Sequence, residues 1–358
     1  MKRIAFAALI AACAASPGLA QTSSAPNGTP AAAPPAGSSA PAATPAPAAA
    51  AAAAPQAEHP WPGKTVHIIV PFGPGSTPDT VARLVSDGLG KKYPATTFIV
   101  ESKSGASGNI GTEAVAKAAP DGSTIGVSIG GPLAINTLLF SHLPYDPKKD
   151  ITAITQLITQ ASILTVAPTM HVDNISDLVK LLKVNPGKYN FASIGTGSLS
   201  QLAVEAIAQK ANTKLVHVAY KSSPQAMLAV MRGEAQMACL PGASVVPHAK
   251  AGKVKMLAVS TAKRSPFLPD LPTLKESGID VEADSWMGLI GPGGMPKDMV
   301  EKINKDVVAI INSPAVKEKL ATVFMEPVGN TPEQFRAVIN GEITRWAPVI
   351  KAAHIKVN

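Results

Sequence analysis

From residue 65 to residue 259 the chain alternates short, β-branched apolar runs with segments of helical periodicity, and this alternation restricts the fold more than any other feature. The run at 65–70 is broken by Pro71-Phe72-Gly73-Pro74-Gly75. Val81, Leu84, Val85 and Leu89 then recur on one helical face. A second strand is predicted at 98–100, a helix over 112–119 stopped by Pro120-Asp121-Gly122, and a third strand at 124–129. The pattern repeats with strands at 163–166, 189–193, 215–219 and 235–240 and helices at 175–184 and 224–231. Ser198 and Gln201 form an S-x-x-Q capping box that opens a further helix. Strands at 254–259 and 286–290 precede helices at 296–311, 313–324 and 331–350. Strand–helix alternation implies parallel pairing through right-handed crossovers. The chain therefore reads as two α/β units, the second inserted into the first.

Nothing before residue 61 belongs to that pattern. Met1-Lys2-Arg3 is basic, residues 4–15 are apolar, and Gly18 and Ala20 are small, so 1–20 read as a secretory signal cut after Ala20. Ile10-Ala11-Ala12-Cys13 offers the alternative of a lipoprotein box with Cys13 as lipid anchor. Either route takes the mature chain to the periplasm. In the following stretch, 25 of the 33 residues from 25 to 57 are Ala or Pro. Such a segment cannot bury a core, so 21–60 read as a linker.

Composition removes several function classes. Lys and Arg number 32 against 24 Asp and Glu, but no dense basic run carries interleaved aromatics, which argues against nucleic-acid binding. The Ala run at 48–54 is too short to cross a bilayer. Cys13 and Cys239 form no Cys-x-x-Cys pair and have no His cluster beside them, so neither a metal site nor a disulfide framework is expected. The loop at 73–79 lacks G-x-G-x-x-G and a P-loop Lys. His67, His142, His217 and His248 sit in no triad or ligand spacing, so no catalytic residue, cofactor or metal is expected.

Three predicted strand ends run into loops rich in Gly, Ser and Thr: Phe72-Gly73-Pro74-Gly75-Ser76-Thr77, Ser104-Gly105-Ala106-Ser107-Gly108 and Gly195-Thr196-Gly197-Ser198. A loop after a parallel strand aims backbone N–H groups at whatever lies over the carboxyl ends of the strands. The helix N-terminus that follows adds partial positive charge. Three such loops in two matched units point to a small anion held in a cleft. Asp79 reads either as a ligand contact or as an acid complementing the helix dipole, and Trp286 either as a cleft wall or as packing.

Residues 61–358 resemble the extracytoplasmic solute receptors of tripartite tricarboxylate transporters, the Bug receptors. The resemblance rests on VPFGPGSTPDTVARL (70–84), ESKSGASGNIG (101–111), AVAKAAPDG (114–122), LPYDPKKDITAI (143–154), VHVAYK (216–221), PHAKAGKVKMLAVSTAKRSPFLPDLPT (247–273) and EPVGNTPEQF (326–335), in that order. It implies an α/β fold of the two-domain periplasmic-binding-protein type (type II-like). Each domain would be a parallel-rich sheet flanked by helices, with the ligand cleft between. The domains are expected at 61–160 plus 286–358 and at 161–285, with hinges near 155–162 and 282–288. The carried-over ligand contacts are Phe72, Gly73, Gly75, Ser76, Thr77, Asp79, Ser128, Gly130, Gly195, Thr196, Gly197 and Ser198.

Two departures from the family pattern are visible. Gly75-Ser76-Thr77-Pro78 stands where the family often has Gly-Gly-Ser-Thr, and Pro removes a donor. Cys239-Leu240-Pro241-Gly242 stands where many members carry an Asp-Asn pair. With Leu240 as an apolar contact, the expected ligand is an aliphatic or aromatic carboxylate lacking an amino group, although Asp79 or Asp284 could meet such a group instead. The function implied is capture of that carboxylate by a monomeric receptor and delivery to the large and small membrane subunits. A sensing receptor, or a secreted enzyme on the same fold, is the alternative.

Overall fold

The computed structural model describes residues 61–357; the signal, the Ala/Pro linker and Cys13 lie outside the described residues. The first half runs β1 (Thr65–Val70), α1 (Thr77–Lys92), β2 (Thr97–Ser102), α2 (Asn109–Ala116), β3 (Thr124–Ile129), a π-helical turn (Gly131–Ile135), α3 (Asn136–Leu139) and β4 (Ile151–Gln160). The middle runs β5 (Ser162–Val166), α4 (Ile175–Val184), β6 (Asn190–Ser193), α5 (Leu199–Lys210), β7 (Val216–Ala219), α6 (Ser223–Arg232), β8 (Met237–Pro241), α7 (Gly242–Lys250) and β9 (Lys255–Val259). The chain ends with β10 (Ser285–Pro292), α8 (Lys297–Ile311), α9 (Pro314–Ala321), β11 (Met325–Pro327) and α10 (Pro332–Ala352).

Two sheets result, a six-stranded one ordered β11-β4-β10-β3-β1-β2 and a five-stranded one ordered β7-β6-β8-β5-β9. The pairs β1/β2, β1/β3, β6/β7 and β6/β8 are parallel, as the alternation requires. The remaining ladders, β10 with β3 and β4, β11 with β4, and β5 with β8 and β9, are antiparallel. The sheets are therefore mixed rather than parallel-rich. The chain leaves the first sheet after β4, enters the second at β5 and returns at β10.

Four labelled elements escape the sequence pattern, the short α3 among them. β4 has buried residues along nearly its whole length, so it shows no alternation, and its region was expected to be a hinge. Its polar residues find distant partners. Gln156 N–H donates to Asn330 Oδ1 at 2.8 Å, and Thr155 Oγ1 donates to the Asn330 carbonyl at 2.8 Å. α7 carries Pro247 in its interior, which reads locally as a break. β11 is only three residues long.

Each sheet is covered on both faces. β1 and β3 pack Val66, Ile68, Ile125 and Val127 against α1 and α8. On the other face Ile69, Val115 and Ile290 meet Trp286, Phe335 and Ile339. α10 then continues past the first sheet. Its Trp346 and Ile350 join Ile135, Leu139, Leu202 and Phe191 in the core of the second sheet. One helix thus contributes to the cores of both sheets.

Candidate functional site

The β1–α1 loop is built by its own side chains. Ser76 caps α1, and its oxygen accepts from the Asp79 N–H. Gly75 has φ +76°, a conformation that costs a residue with a Cβ but not glycine. That turn lets Gly75 N–H donate to Asp79 Oδ2 at 2.9 Å, while Arg83 donates to both carboxylate oxygens at 3.0 Å. The Arg83 hydrogen bonds hold the Asp79 carboxyl below its usual range. Asp79 is 3% exposed and its oxygens are committed to the loop, so it acts as a brace for the turn.

The loop after β3 turns at Gly130 into the π-helical segment. Asn136 Nδ2 donates to Asn109 Oδ1 at 2.6 Å, and Tyr145 OH donates to the Pro132 carbonyl at 2.9 Å. The first bond ties α3 to α2, and the second ties the π-helical segment to Tyr145. Ser128 is fully enclosed and pairs with Thr112 Oγ1 at 3.1 Å.

In the second sheet the loop after β6 is cross-braced. Ile194 N–H donates to Ser200 Oγ at 3.0 Å, Gly195 N–H to Ser193 Oγ at 3.1 Å and Gly197 N–H to Gln201 Oε1 at 2.8 Å. His217 Nε2 lies 2.6 Å from Ser193 Oγ, and burial pushes its imidazole pKa down. Ser198 caps α5 as expected, but Gln201 reaches back to Gly197 rather than to Ser198. The N–H groups of Thr196 and Leu199 have no hydrogen-bond partner among the described residues. Ser198→Ala should cost about 1 kcal/mol through loss of the cap, measured by denaturant unfolding. A loss below a few tenths would mean the cap does not hold this loop.

These loops meet at a cavity of about 200 Å³. Phe72 and Gly130 enter it from the first sheet, and Gly195, Thr196, Gly197 and Ser198 from the second. Six of the thirteen expected contacts are thereby brought together. Gly73, Gly75, Ser76, Thr77 and Asp79 shape the loop but do not line the cavity, and neither does Ser128. Leu240 requires a correction. It is 0% exposed on β8, packed in the core with Ile163, Val259 and Ala238. β8 pairs with a neighbour on each side, and Leu240 points into that core rather than into the cavity.

The sequence reading missed Asn136, Leu139, Phe140 and Glu342 as lining residues, left Trp286 and Asp284 open, and singled out Ser107 only as part of the 104–108 loop. Glu342 carried a usable signal. It falls on the buried stripe Phe335, Ile339, Glu342, Trp346, Ile350 of α10, where an acid is out of place. Trp346 Nε1 donates to its Oε2 at 2.7 Å and Arg345 Nη1 to its Oε1 at 3.1 Å. Burial nevertheless raises the Glu342 pKa. Burial, then the nearby Glu282, push the Asp284 carboxyl up to about 7. The walls are otherwise largely apolar, with Phe72, Ile135, Leu139, Phe140 and Trp286 prominent. Among the described residues no group of His, Cys, Asp and Glu could hold a metal ion.

The family model described as tripartite tricarboxylate transporter family receptor matches residues 81–355. BugT of Bordetella pertussis is 30% identical over 311 residues, covering 85% of this chain and 93% of that protein. Rpa4515 of R. palustris, solved with adipate, is 31% identical with a TM-score of 0.74, covering 83% of this chain and 99% of that one. MatC from Rhodopseudomonas palustris, solved with bound malate, is 28% identical with a TM-score of 0.70, covering 81% and 100%. The periplasmic binding protein BugD is 30% identical with a TM-score of 0.70, covering 83% and 99%.

Proposed function

Because the chain belongs to the tripartite tricarboxylate transporter receptor family, we propose that it captures a small organic carboxylate in this cavity and hands it to the membrane subunits of such a transporter. The observation that carries the reading is the pair of uncommitted N–H groups at Thr196 and Leu199, both lining the cavity at the N-terminus of α5. Among the residues of the β6–α5 loop that line the cavity, the Ile194, Gly195, Gly197 and Ser198 amides are already bonded, so in this loop these two are the donors left for an anion. The helix end adds ~0.3–1 kcal/mol towards an anion near the surface, and more when desolvated. Rpa4515 with adipate and MatC with malate support the ligand class.

The ligand proposed is a carboxylate with a hydrocarbon body and no amino group. Leu240 no longer argues for this, but the apolar walls do. So does the state of the acids: Glu342 is engaged by two donors, and Asp284 is poised near neutrality. Neither offers the committed carboxylate that a buried ammonium needs. We propose that 61–160 plus 286–358 and 161–285 move as two lobes, hinged where the chain passes between the sheets. Contacts to both lobes would form only in the closed state, so the ligand biases closure by its differential affinity.

A thermal-shift panel tests the ligand class. A carboxylate at 100 times its Kd adds ~2.7 kcal/mol of apparent stability. Adipate, malate and aromatic carboxylates are expected to raise the melting temperature, and a ligand that does so should also shrink the radius of gyration in small-angle scattering while remaining chemically unchanged. A response to aspartate or glutamate alone would remove the amino-free assignment. Chemical conversion of the ligand would remove the receptor reading.

A further inference from the structure

Asp284 Oδ1 is the one buried side-chain nitrogen or oxygen without a hydrogen-bond partner among the described residues. Asp284 directly precedes β10 and lines the cavity. A buried carboxylate oxygen with no donor is costly as part of an anion and much less so as part of a neutral acid. The surroundings leave it no cation. Glu282 lies on its own segment, Glu342 and Arg345 on α10, Glu326 on β11, and the Cys239 thiol on β8. Arg345 is the only cation of that group, and it is already shared. Its Nη2 donates to Glu282 Oε1 at 3.1 Å and its Nη1 to Glu342 Oε1 at 3.1 Å. The second Glu342 oxygen is taken by Trp346. Three carboxylates thus surround Asp284, and the one guanidinium serves two of them.

With Oδ1 enclosed and Asp284 lining the cavity, Oδ2 is the oxygen available to carry the proton of the neutral acid towards a ligand. We propose that Asp284 binds ligand as a neutral acid, donating its Oδ2 proton to a second carboxylate of the ligand, so that the protein selects dicarboxylates and captures them together with a proton. The inference rests on the receptor reading above, in which the Thr196 and Leu199 amides hold the first carboxylate. Two carboxyl groups brought together cannot both ionise cheaply, and one shared proton satisfies both. Burial and Glu282 raise the Asp284 pKa to about 7, so the donor form is present in the free protein at neutral pH. A ligand ammonium would demand the opposite, an ionised Asp284 that accepts.

Isothermal titration of the mature protein with adipate and with malate, from about pH 6.5 to about pH 8.5, separates these cases, because free carboxyls titrate at about pH 4–5, below this range, and the ligands stay almost fully ionised throughout. Wild-type affinity for at least one of the two is expected to fall towards about tenfold per pH unit above neutrality, as the protonated fraction falls. Heats in buffers of different ionisation enthalpy should show uptake of close to one proton at alkaline pH. Asp284→Asn keeps an N–H donor with no proton to lose, and should bind with a flat profile and no proton uptake. Asp284→Ala should lose about tenfold to a hundredfold at the acid end, the range for a hydrogen bond to a charged group. Thermal unfolding without ligand checks that both variants are folded. Wild-type binding that is independent of pH, or that strengthens as pH rises, overturns the proposal and leaves the receptor reading standing; so does Asp284→Asn binding as poorly as Asp284→Ala. Failure of both dicarboxylates to bind wild type at any pH overturns the proposal, and if monocarboxylates fail as well the receptor reading goes with it.

Discussion

Gly197→Val should weaken carboxylate binding by about tenfold to a hundredfold or more. Gly197 has φ +77°, a region that a β-branched residue enters only under strain. A Cβ built there would lie 2.3 Å from Leu139 Cδ1 and 3.6 Å from Val357 Cγ2. Leu139 is itself a wall of the cavity, so relief of the clash comes at the expense of about 200 Å³ of space or of the loop that carries the Thr196 amide. Overpacking of this kind costs about 1–3 kcal/mol, and each 1.4 kcal/mol that falls on the bound state is about tenfold in Kd. Titration of the variant with a carboxylate that stabilises wild type is the measurement, alongside unfolding of both proteins. Wild-type affinity in a folded Gly197→Val would show that this loop is not the anion wall.

Trp346→Ala is expected to produce the largest loss of stability, about 3–5 kcal/mol from the lost packing alone. The indole is 1% exposed and packs in the core shared by α10 and the second sheet. Its removal also strips Glu342 Oε2 of its donor inside a buried site, which adds about 1–3 kcal/mol if the acid stays ionised. Trp346→Phe separates the two contributions, since it keeps most of the packing and loses only the N–H. Urea denaturation of the three proteins gives the differences. A Trp346→Ala loss under about 1 kcal/mol would mean that α10 does not buttress the second sheet, because exposed positions show effects of that size.

Much of the scaffold was written into local sequence. β1, β3, β6, α1, α4, α5, α8 and α10 fall close to where β-branched runs, helical stripes and Ser, Asn or Thr caps place them. The loops after β1 and β6 announce themselves through glycines that a left-handed turn requires. Local signals suffice there because propensity, capping and amphipathic period act within a few residues. They fail for β4, whose buried Thr155 and Gln156 become acceptable only through Asn330, more than 170 residues away in the chain. They fail again where a strand end passes from loop to core. Leu240 lies at such a point, and β5 and β6 on either side of β8 decide that it is buried.

The carboxyls of the cavity belong to the same class. Asp284 is a polar residue in an irregular stretch with no local pattern that marks it, and Glu342 shows in the sequence only as an acid on the otherwise apolar stripe of α10. Only folding sets β10, α10 and the β6–α5 loop around one space, excludes water from Asp284 Oδ1, and assigns Arg345 to two other acids. Sequence by itself determined which segments turn and which amides could be offered to an anion, since those depend on neighbours along the chain. Tertiary structure alone decided which amides stay free and which carboxyl is left without a partner. Desolvation and charge pairing are set by groups far apart in sequence and close in space.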